Sequence, residues 1–214
     1  MNIGIAGGTF DPFHHGHLEP VLASRETMQW DRILYVPAHR QPFKLTNDST
    51  PDWHRYAMLI LATLDLEGVY ASDVELLRGD VSYTVDTLEQ LRRQYPDATL
   101  DWIIGDDNLA ELDEWKNVDR IFELANFAVL SRHVAPPANR DAAEGGGATW
   151  KHRMLHDPRE RKTHGSIVFT RNATVPISAT DIRNRVRAGQ PIDAFVDPRV
   201  SRYIAHYGLY KGTT

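Results

Sequence analysis

The 214-residue sequence contains no cysteine. Disulfide bonds, thiolate nucleophiles and cysteine-based zinc sites are therefore excluded, together with the classes of protein that depend on them. A chain of this length buries roughly 70% of the surface that its unfolded form exposes, so it needs no cross-link or structural metal to fold. We expect one α/β domain over 1–214 rather than two domains.

Long apolar runs and an excess of positive charge are also missing. No uninterrupted apolar stretch approaches the roughly 20 residues that a membrane-spanning helix needs. The opening residues, MNIGIAGGTF, lack the basic and apolar segments of a secretory signal. Lys and Arg number 24 against 29 Asp and Glu, a formal net charge of −5, which argues against a general nucleic-acid-binding protein. The sequence thus predicts a cytoplasmic protein that binds neither membrane nor nucleic acid.

Short apolar runs alternate with helical patterns along the chain. The predicted strands are 2–6, 32–37, 69–74, 100–104, 126–131 and 166–170. The predicted helices are 17–29, 52–64, 84–94, a segment after 107, 178–188 and 198–207. This alternation predicts a doubly wound, mainly parallel sheet with right-handed crossovers and a small helical part at 178–210. Ligands of such sheets bind beyond the carboxyl ends of the strands.

The segment 133–165 interrupts the alternation. It contains Pro136-Pro137, three successive glycines at 145–147 and few apolar residues before Trp150. We expect an irregular excursion with one short helix near 150–156, not a second domain. His152 and His156 would lie on that helix, and they have two interpretations, metal ligands or surface histidines.

The first predicted strand ends in a glycine turn, and histidines follow it in the run GGTFDPFHHGH from Gly7 to His17. Glycines after a strand let a phosphate approach the backbone, and the start of the next helix supplies N–H groups and positive potential. His14 and His17 could donate to phosphate oxygens, and an imidazolium would offset charge on the transferring phosphorus. The double glycine alone fits an ordinary tight turn equally well. A metal pair is a third interpretation, but no carboxylate or further histidine completes such a site at ligand spacing.

A second candidate anion site begins the helix predicted over 178–188. Ser178 in the run ISATDIR is a natural N-cap, and Arg183 lies within reach of phosphate oxygens bound at the helix start. Ordinary helix capping is the alternative interpretation of this segment.

These two motifs carry a resemblance to a known superfamily. GGTFDPFHHGH is similar to the ATP-binding signature of the HxGH nucleotidyltransferases, and ISATDIR resembles their carboxyl-terminal ISSTxIR motif. Within that superfamily, three further stretches resemble bacterial nicotinate-nucleotide adenylyltransferases: SYTVDTL at 82–88, IGDDNL at 104–109 running to Trp115, and YGLY at 207–210. The resemblance covers nearly the whole chain except 133–165.

The resemblance implies a Rossmann-like nucleotidyltransferase fold and a specific reaction. The chain would join AMP from ATP to nicotinate mononucleotide, giving nicotinate adenine dinucleotide and pyrophosphate, a step of NAD biosynthesis. Mg²⁺ would be carried with ATP. A sister enzyme that uses nicotinamide mononucleotide or phosphopantetheine, and a non-catalytic nucleotide-binding regulatory domain, are the alternatives. Whether the chain forms a homo-oligomer stays open.

The resemblance also implies roles for individual residues. The implied ATP-binding residues are Gly7, Gly8, Thr9, Phe10, His14, His17, Asp107, Ser178 and Arg183. The implied nicotinate nucleotide-binding residues are Tyr83, Thr84, Asp107, Trp115 and Arg132. The implied catalytic residues are His14, His17, Lys44 and Arg183. Asp107 would contact a ribose, Thr84 would meet the nicotinate carboxylate, and Trp115 would stack on the ring unless it is a core tryptophan.

The sequence departs from the family pattern in two places. After the second strand the family usually has Pro-Pro-His-Lys or Pro-Pro-His-Arg, whereas this chain has Gln41-Pro42-Phe43-Lys44. Lys44 keeps a cation for phosphate, but Phe43 replaces the histidine. Arg132 matches the family arginine after the fifth strand, but His133-Val134 replaces the usual Pro-Gly.

Overall fold

A computed structural model describes residues 1–42, 49–109, 111–130, 148–155, 157–170 and 175–211. The strands in these ranges are β1 Asn2–Gly8, β2 Arg32–Pro37, β3 Val69–Ala71, β4 Thr99–Gly105, β5 Asn126–Leu130, β6 Met154–Leu155 and β7 Ile167–Thr170. The α-helices are α1 His15–Arg25, α2 Asp52–Thr63, α3 Val74–Arg78, α4 Thr84–Gln94, α5 Asp106–Leu109, α6 Val118–Leu124, α7 Ala179–Arg187 and α8 Pro198–Tyr207. Short 3₁₀ turns cover Leu112–Glu114, Ala148–Arg153 and Pro158–Glu160.

The strands form one parallel sheet in the order β3-β2-β1-β4-β5-β7-β6. In the middle of the sheet, Ile5 of β1 lies opposite Leu34 of β2 on one side and Trp102 of β4 on the other. The chain runs outward from β1 to β3 and then returns to β4, so the strand order switches between β1 and β4. The structure confirms the predicted doubly wound fold.

Apolar side chains cover both faces of the sheet. Leu34 and Val36 belong to one buried cluster, together with residues of α4 and α6. Ile33 and Tyr35 belong to the other, together with residues of α1, α2, α7 and α8. Successive strand residues point to opposite faces, so a strand that is buried on both sides is apolar throughout rather than alternating. Because of this continuous apolar pattern, the strands could be predicted from the sequence.

Several element boundaries differ from the sequence predictions. The helix predicted over 17–29 begins at His15 and ends at Arg25, and the strand predicted over 69–74 ends at Ala71. Val74 instead begins α3, and Gly79 follows that helix in the left-handed region with φ 71°. This helix and α6 were not predicted because they are shorter than two full turns, too short to show a helical period.

The segment near Trp150 also differs from its prediction. The short helix expected over 150–156 is the 3₁₀ turn Ala148–Arg153, followed by the strand β6. His156 lies outside the described residues, so neither interpretation of His152 and His156 is tested. No helix in the described part of the chain has the length and apolar character to cross a membrane.

A buried carboxylate in β4 connects segments that are distant in the sequence. Asp101 is fully buried and accepts hydrogen bonds from Trp30 Nε1 at 2.7 Å, Asn126 Nδ2 at 2.9 Å and Arg161 Nε at 3.1 Å. Arg161 also donates from Nη2 to the carbonyl oxygen of Met28 at 2.5 Å. The carboxylate and its partner Arg161 therefore join β4, β5, the residues that follow α1 and the segment that leads to β7.

We expect Arg161→Met to lower the free energy of unfolding by about 3 kcal/mol, because Asp101 would stay buried without its cation. Arg159→Met is the matched control: its ion pair with Asp157 involves a side chain that is 79% exposed, so stability should hardly change. Chemical denaturation of both variants measures the difference. Equal stability of the two variants would contradict a contribution from the buried pair.

Candidate active site

A cleft of about 1490 Å³ lies at the carboxyl ends of β1 and β4, at the switch in strand order. It exceeds the roughly 300–1,000 Å³ of a pocket for one small ligand. The site residues predicted from the sequence that line it are Gly7, Gly8, Thr9, Phe10, His14, His17, Tyr83, Thr84, Asp107, Trp115, Ser178 and Arg183. Lys44 and Arg132 lie outside the described residues, so their roles stay predictions.

Two glycines of the first motif allow close packing at the cleft. A Cβ atom on Gly7 would lie 2.7 Å from Cζ2 of Trp102, and one on Gly16 would lie 2.9 Å from Nδ1 of His14. Any other residue would push the indole or the imidazole away. The backbone between them is also constrained, because Phe10 has φ 52°, a region that residues other than glycine rarely occupy. Sequence and geometry therefore agree on a tightly built turn.

His14 and His17 of the motif stack on each other. The ring centroids of His14 and His17 are 3.7 Å apart with an interplanar angle of 28°, and Phe10 and Phe13 pack against His17. His14 is only 5% exposed. Burial, together with the neighbouring His15, lowers the pKa of His14 to about 4, while Asp181 opposes the shift. His14 is therefore neutral at pH 7 in the free protein, and its role toward phosphate stays a prediction.

The second motif forms a capping box. The Ser178 hydroxyl accepts a hydrogen bond from Asp181 N at 3.1 Å, and the Asp181 carboxylate accepts from Ser178 N at 3.2 Å. Arg183 donates from Nη1 to the carbonyl oxygen of Asp11 at 2.7 Å and from Nη2 to Thr180 Oγ1 at 3.1 Å. The capping interpretation is confirmed. The same contacts also hold the start of α7 against the glycine turn, on the cleft.

The starts of α1, α4 and α7 lie at the cleft. Lining residues include Gly16 and His17 of α1, Thr84 of α4, and Ala179 and Thr180 of α7. No side-chain cap is present at the starts of α1 and α4. Helix starts carry partial positive charge and N–H groups, so they attract anions even in a protein of negative net charge. The described residues contain no cluster of three His, Asp or Glu side chains that could hold a metal.

Tyr83 and Trp115 form an aromatic part of the cleft near the start of α4. The Trp115 ring meets Phe127 edge-on at 5.8 Å and borders the cleft, so it belongs both to the edge of the core and to the site. The Lys116 ammonium lies 4.3 Å from the centroid of the Tyr83 ring and 3.0 Å from the Asp86 carboxylate. An indole beside a helix start suits a planar ring that carries an anionic group.

Comparisons with known proteins identify the family. A model of the cytidylyltransferase-like family matches residues 5–185. A "Probable nicotinate-nucleotide adenylyltransferase" of Thermoanaerobacter sp. (strain X514) is 36% identical over 99% of this chain and 95% of the relative. A protein of the same name from Thermomicrobium roseum is 38% identical over 98% of this chain and 91% of the relative. The chain belongs to the nicotinate-nucleotide adenylyltransferase family.

Solved structures share the fold of this adenylyltransferase family member. Plasmodium falciparum nicotinic acid mononucleotide adenylyltransferase, complexed with NaAD, has a TM-score of 0.67 at 21% identity, covering 98% of this chain and 97% of that one. The same enzyme complexed with APC has a TM-score of 0.64 at 18% identity, covering 98% and 96%. At these identities the likeness establishes the common fold.

The sequence analysis missed Arg55, which organises the adenylyltransferase cleft from beneath. This residue of α2 is fully buried and donates to the carbonyl oxygens of Thr9 at 2.6 Å, Ala38 at 2.7 Å and Thr50 at 2.9 Å. It also pairs with Asp52. A signal was present, because Arg55 precedes the buried residues Met58, Leu59 and Ala62 by three, four and seven positions.

Tyr210, near the end of the chain, was also missed as a site residue. Its hydroxyl donates to Asp11 Oδ1 at 2.6 Å, while Thr50 N donates to Asp11 Oδ2 at 3.0 Å. Burial and the charge of Asp11 raise the pKa of Tyr210, so the hydroxyl keeps its proton. The closing YGLY stretch thus reaches the glycine turn through one hydrogen bond.

An NMR titration of the imidazole of His14 should give a pKa near 4. Because this lies below the unfolded value of about 6.5, the unfolded chain binds more protons between these pH values, and His14 destabilises the fold as the pH falls through that window. His14→Gln identifies the signal. A titration midpoint near 6.5 would contradict the burial argument.

We expect Tyr210→Phe to weaken Mg·ATP binding about tenfold, since a hydrogen bond to a charged group contributes about 1.5–3 kcal/mol and part of this holds the glycine turn. Tyr207→Phe is the control, because the Tyr207 ring is 52% exposed and packs on Tyr203 and His206. Calorimetric titration with Mg·ATP measures both. If the two variants bind alike, the turn does not depend on the Asp11 contact.

Proposed function

We propose that this chain joins the AMP part of ATP to nicotinate mononucleotide and releases pyrophosphate, as a step of NAD biosynthesis. The observation that carries the proposal is the convergence of three helix starts and the stacked His14 and His17 on one cleft at the sheet's switch point. The relatives at 36% and 38% identity, named as nicotinate-nucleotide adenylyltransferases, support this acceptor. The whole chain, 1–214, would act as one nucleotidyltransferase domain in the cytoplasm. The proposal holds for a monomer and for a homo-oligomer.

ATP would occupy the half of the cleft built by β1, α1 and α7. The glycine turn Gly7–Phe10 and the N–H groups at the start of α1 would receive its phosphates, and Ser178 and Arg183 would hold the departing pyrophosphate. His14, neutral at pH 7, would act as a hydrogen-bond donor or acceptor and not as a fixed cation. A neutral donor placed before the reaction still stabilises charge that develops on the phosphorus.

Nicotinate mononucleotide would occupy the aromatic half. Its ring would stack on Trp115, which borders the cleft, and its carboxylate would meet Thr84 and the start of α4. Tyr83 and Arg132 would complete the pocket, and Asp107 would bind a ribose. The cleft volume of about 1490 Å³ is large enough for two nucleotides at once, as direct transfer between them requires.

The reaction would proceed by in-line displacement. A phosphate oxygen of the acceptor forms a bond to the α-phosphorus of ATP, the bond from that phosphorus to the bridging oxygen of the β-phosphate breaks, and pyrophosphate leaves with the electron pair. The acceptor phosphate is already ionised, so no strong base is needed. Catalysis is then positioning and charge stabilisation by His14, His17, Lys44 and Arg183. Mg²⁺ would arrive on the phosphates of ATP, which supply most of its ligands.

The test is pyrophosphate release from Mg·ATP with nicotinate mononucleotide, nicotinamide mononucleotide and phosphopantetheine in parallel. We expect release with the nicotinate acceptor at a kcat/KM at least about tenfold above the others, because the loss of one charged contact costs more than about 1.4 kcal/mol. Release only with another acceptor would refute the roles of Thr84 and Trp115 while preserving the reaction. No release with any acceptor, alongside ATP binding, would favour a regulatory nucleotide-binding domain.

A further inference from the structure

His39 lies at the junction of the two halves of the cleft. It follows β2, lines the cleft, and its backbone N donates to Ser82 Oγ at 2.9 Å, just before α4. The preceding residue, Ala38, donates from its backbone N to the carbonyl oxygen of Gly8 at 2.8 Å. His39 is therefore anchored between the glycine turn and the segment that begins the aromatic half, and neither sequence motif includes it.

The imidazole of His39 is held in place by a second group. Its Nδ1 is hydrogen-bonded to the carboxylate of Asp52, and that carboxylate also pairs with the fully buried guanidinium of Arg55. About 29% of the His39 side chain is exposed, against none of Arg55. A histidine that donates Nδ1–H to a carboxylate has a fixed ring orientation and presents Nε2 on the opposite side. The chain of contacts thus runs from a rigid cation in the core to a ring at the cleft.

The position of the ring suits a phosphate ligand. A doubly protonated imidazole would keep Nδ1–H on Asp52 and donate Nε2–H to an anionic oxygen, a charge-assisted hydrogen bond. The cleft is where two phosphate-bearing substrates would meet, and the backbone contacts of residues 38 and 39 reach both of its halves. A surface histidine would need neither the carboxylate partner nor the buried guanidinium behind it.

We propose that His39 contacts substrate in this transferase: Nε2 donates a hydrogen bond to a phosphate oxygen where the two nucleotides meet, and Asp52 is the positioning residue that orients the ring. This inference rests on the proposed function, because it needs two phosphate-bearing substrates in one cleft. The competing explanation is structural, in which the pair with Asp52 only fastens the residues after β2 to α2.

Two substitutions at this position separate the explanations. Asn places its side-chain amide where Nδ1 of the imidazole was and keeps a hydrogen bond to Asp52. Gln places its side-chain amide where Nε2 was. We expect His39→Asn to lower kcat/KM about 10- to 100-fold with an unchanged melting temperature, as loss of a stabilising donor does elsewhere. His39→Gln should recover part of that loss. His206→Asn, on the exposed side of α8, is the control and should match the wild type.

Steady-state kinetics with each substrate varied in turn, and thermal melting of every variant, provide the measurements. The inference is overturned if His39→Asn keeps wild-type kcat/KM for both substrates, or if its melting temperature falls while kcat/KM per folded molecule stays unchanged. Calorimetric titration with Mg·ATP alone separates this inference from the proposed function. If the wild type turns over none of the acceptors, the proposed function fails, and weaker Mg·ATP binding by His39→Asn than by His206→Asn still supports a phosphate contact.

Discussion

The arrangement of the cleft depends on the guanidinium of Arg55, which lies fully buried beneath it. Its N–H groups donate to the carbonyl oxygens of Thr9 in the glycine turn, Ala38 after β2 and Thr50 just before α2. A buried cation is tolerated only when its hydrogen bonds are made, so these loops cannot separate without leaving charge and carbonyl groups unsatisfied. The sheet itself does not connect the loops that follow its parallel strands. Arg55 connects the loops that follow β1 and β2 and so fixes their relative position.

Charge in this protein is organised locally. The formal net charge of −5 opposes phosphate binding at long range, yet the cleft collects the starts of α1, α4 and α7 together with Arg183. Helix starts attract anions without carrying a formal charge, so they do not repel one another as a cluster of lysines would. Burial lowers the pKa of His14, because a ring packed against His17 and below the surface is more stable without a proton.

Local features of the site were predictable from the sequence, and long-range pairings were not. The glycine turn and the Ser178 cap depend on neighbouring residues, so a short motif contains the whole signal. Arg55 was missed because an arginine in an amphipathic helix is expected on the solvent side, whereas in this helix Arg55 is buried and Ile60 exposed. Tyr210 meets Asp11 across 199 positions, and no periodicity can indicate such a contact. Burial of His14 is likewise a property of the folded chain.

The segment after β2 departs from the family pattern, and the proposed role of His39 concerns the same segment. Phe43 offers no nitrogen where the family usually has histidine, and that position lies outside the described residues. His39, four positions earlier, is anchored between Gly8 and Ser82 through residues 38 and 39 and is oriented by Asp52. Orientation by a carboxylate that is itself held by Arg55 restricts the ring to one direction, and restricted groups lose little entropy on binding a ligand. Under the proposal for His39, the physical requirement is a donor of fixed direction where the two substrates meet, and the contacts with Asp52 and Arg55 supply that fixed direction.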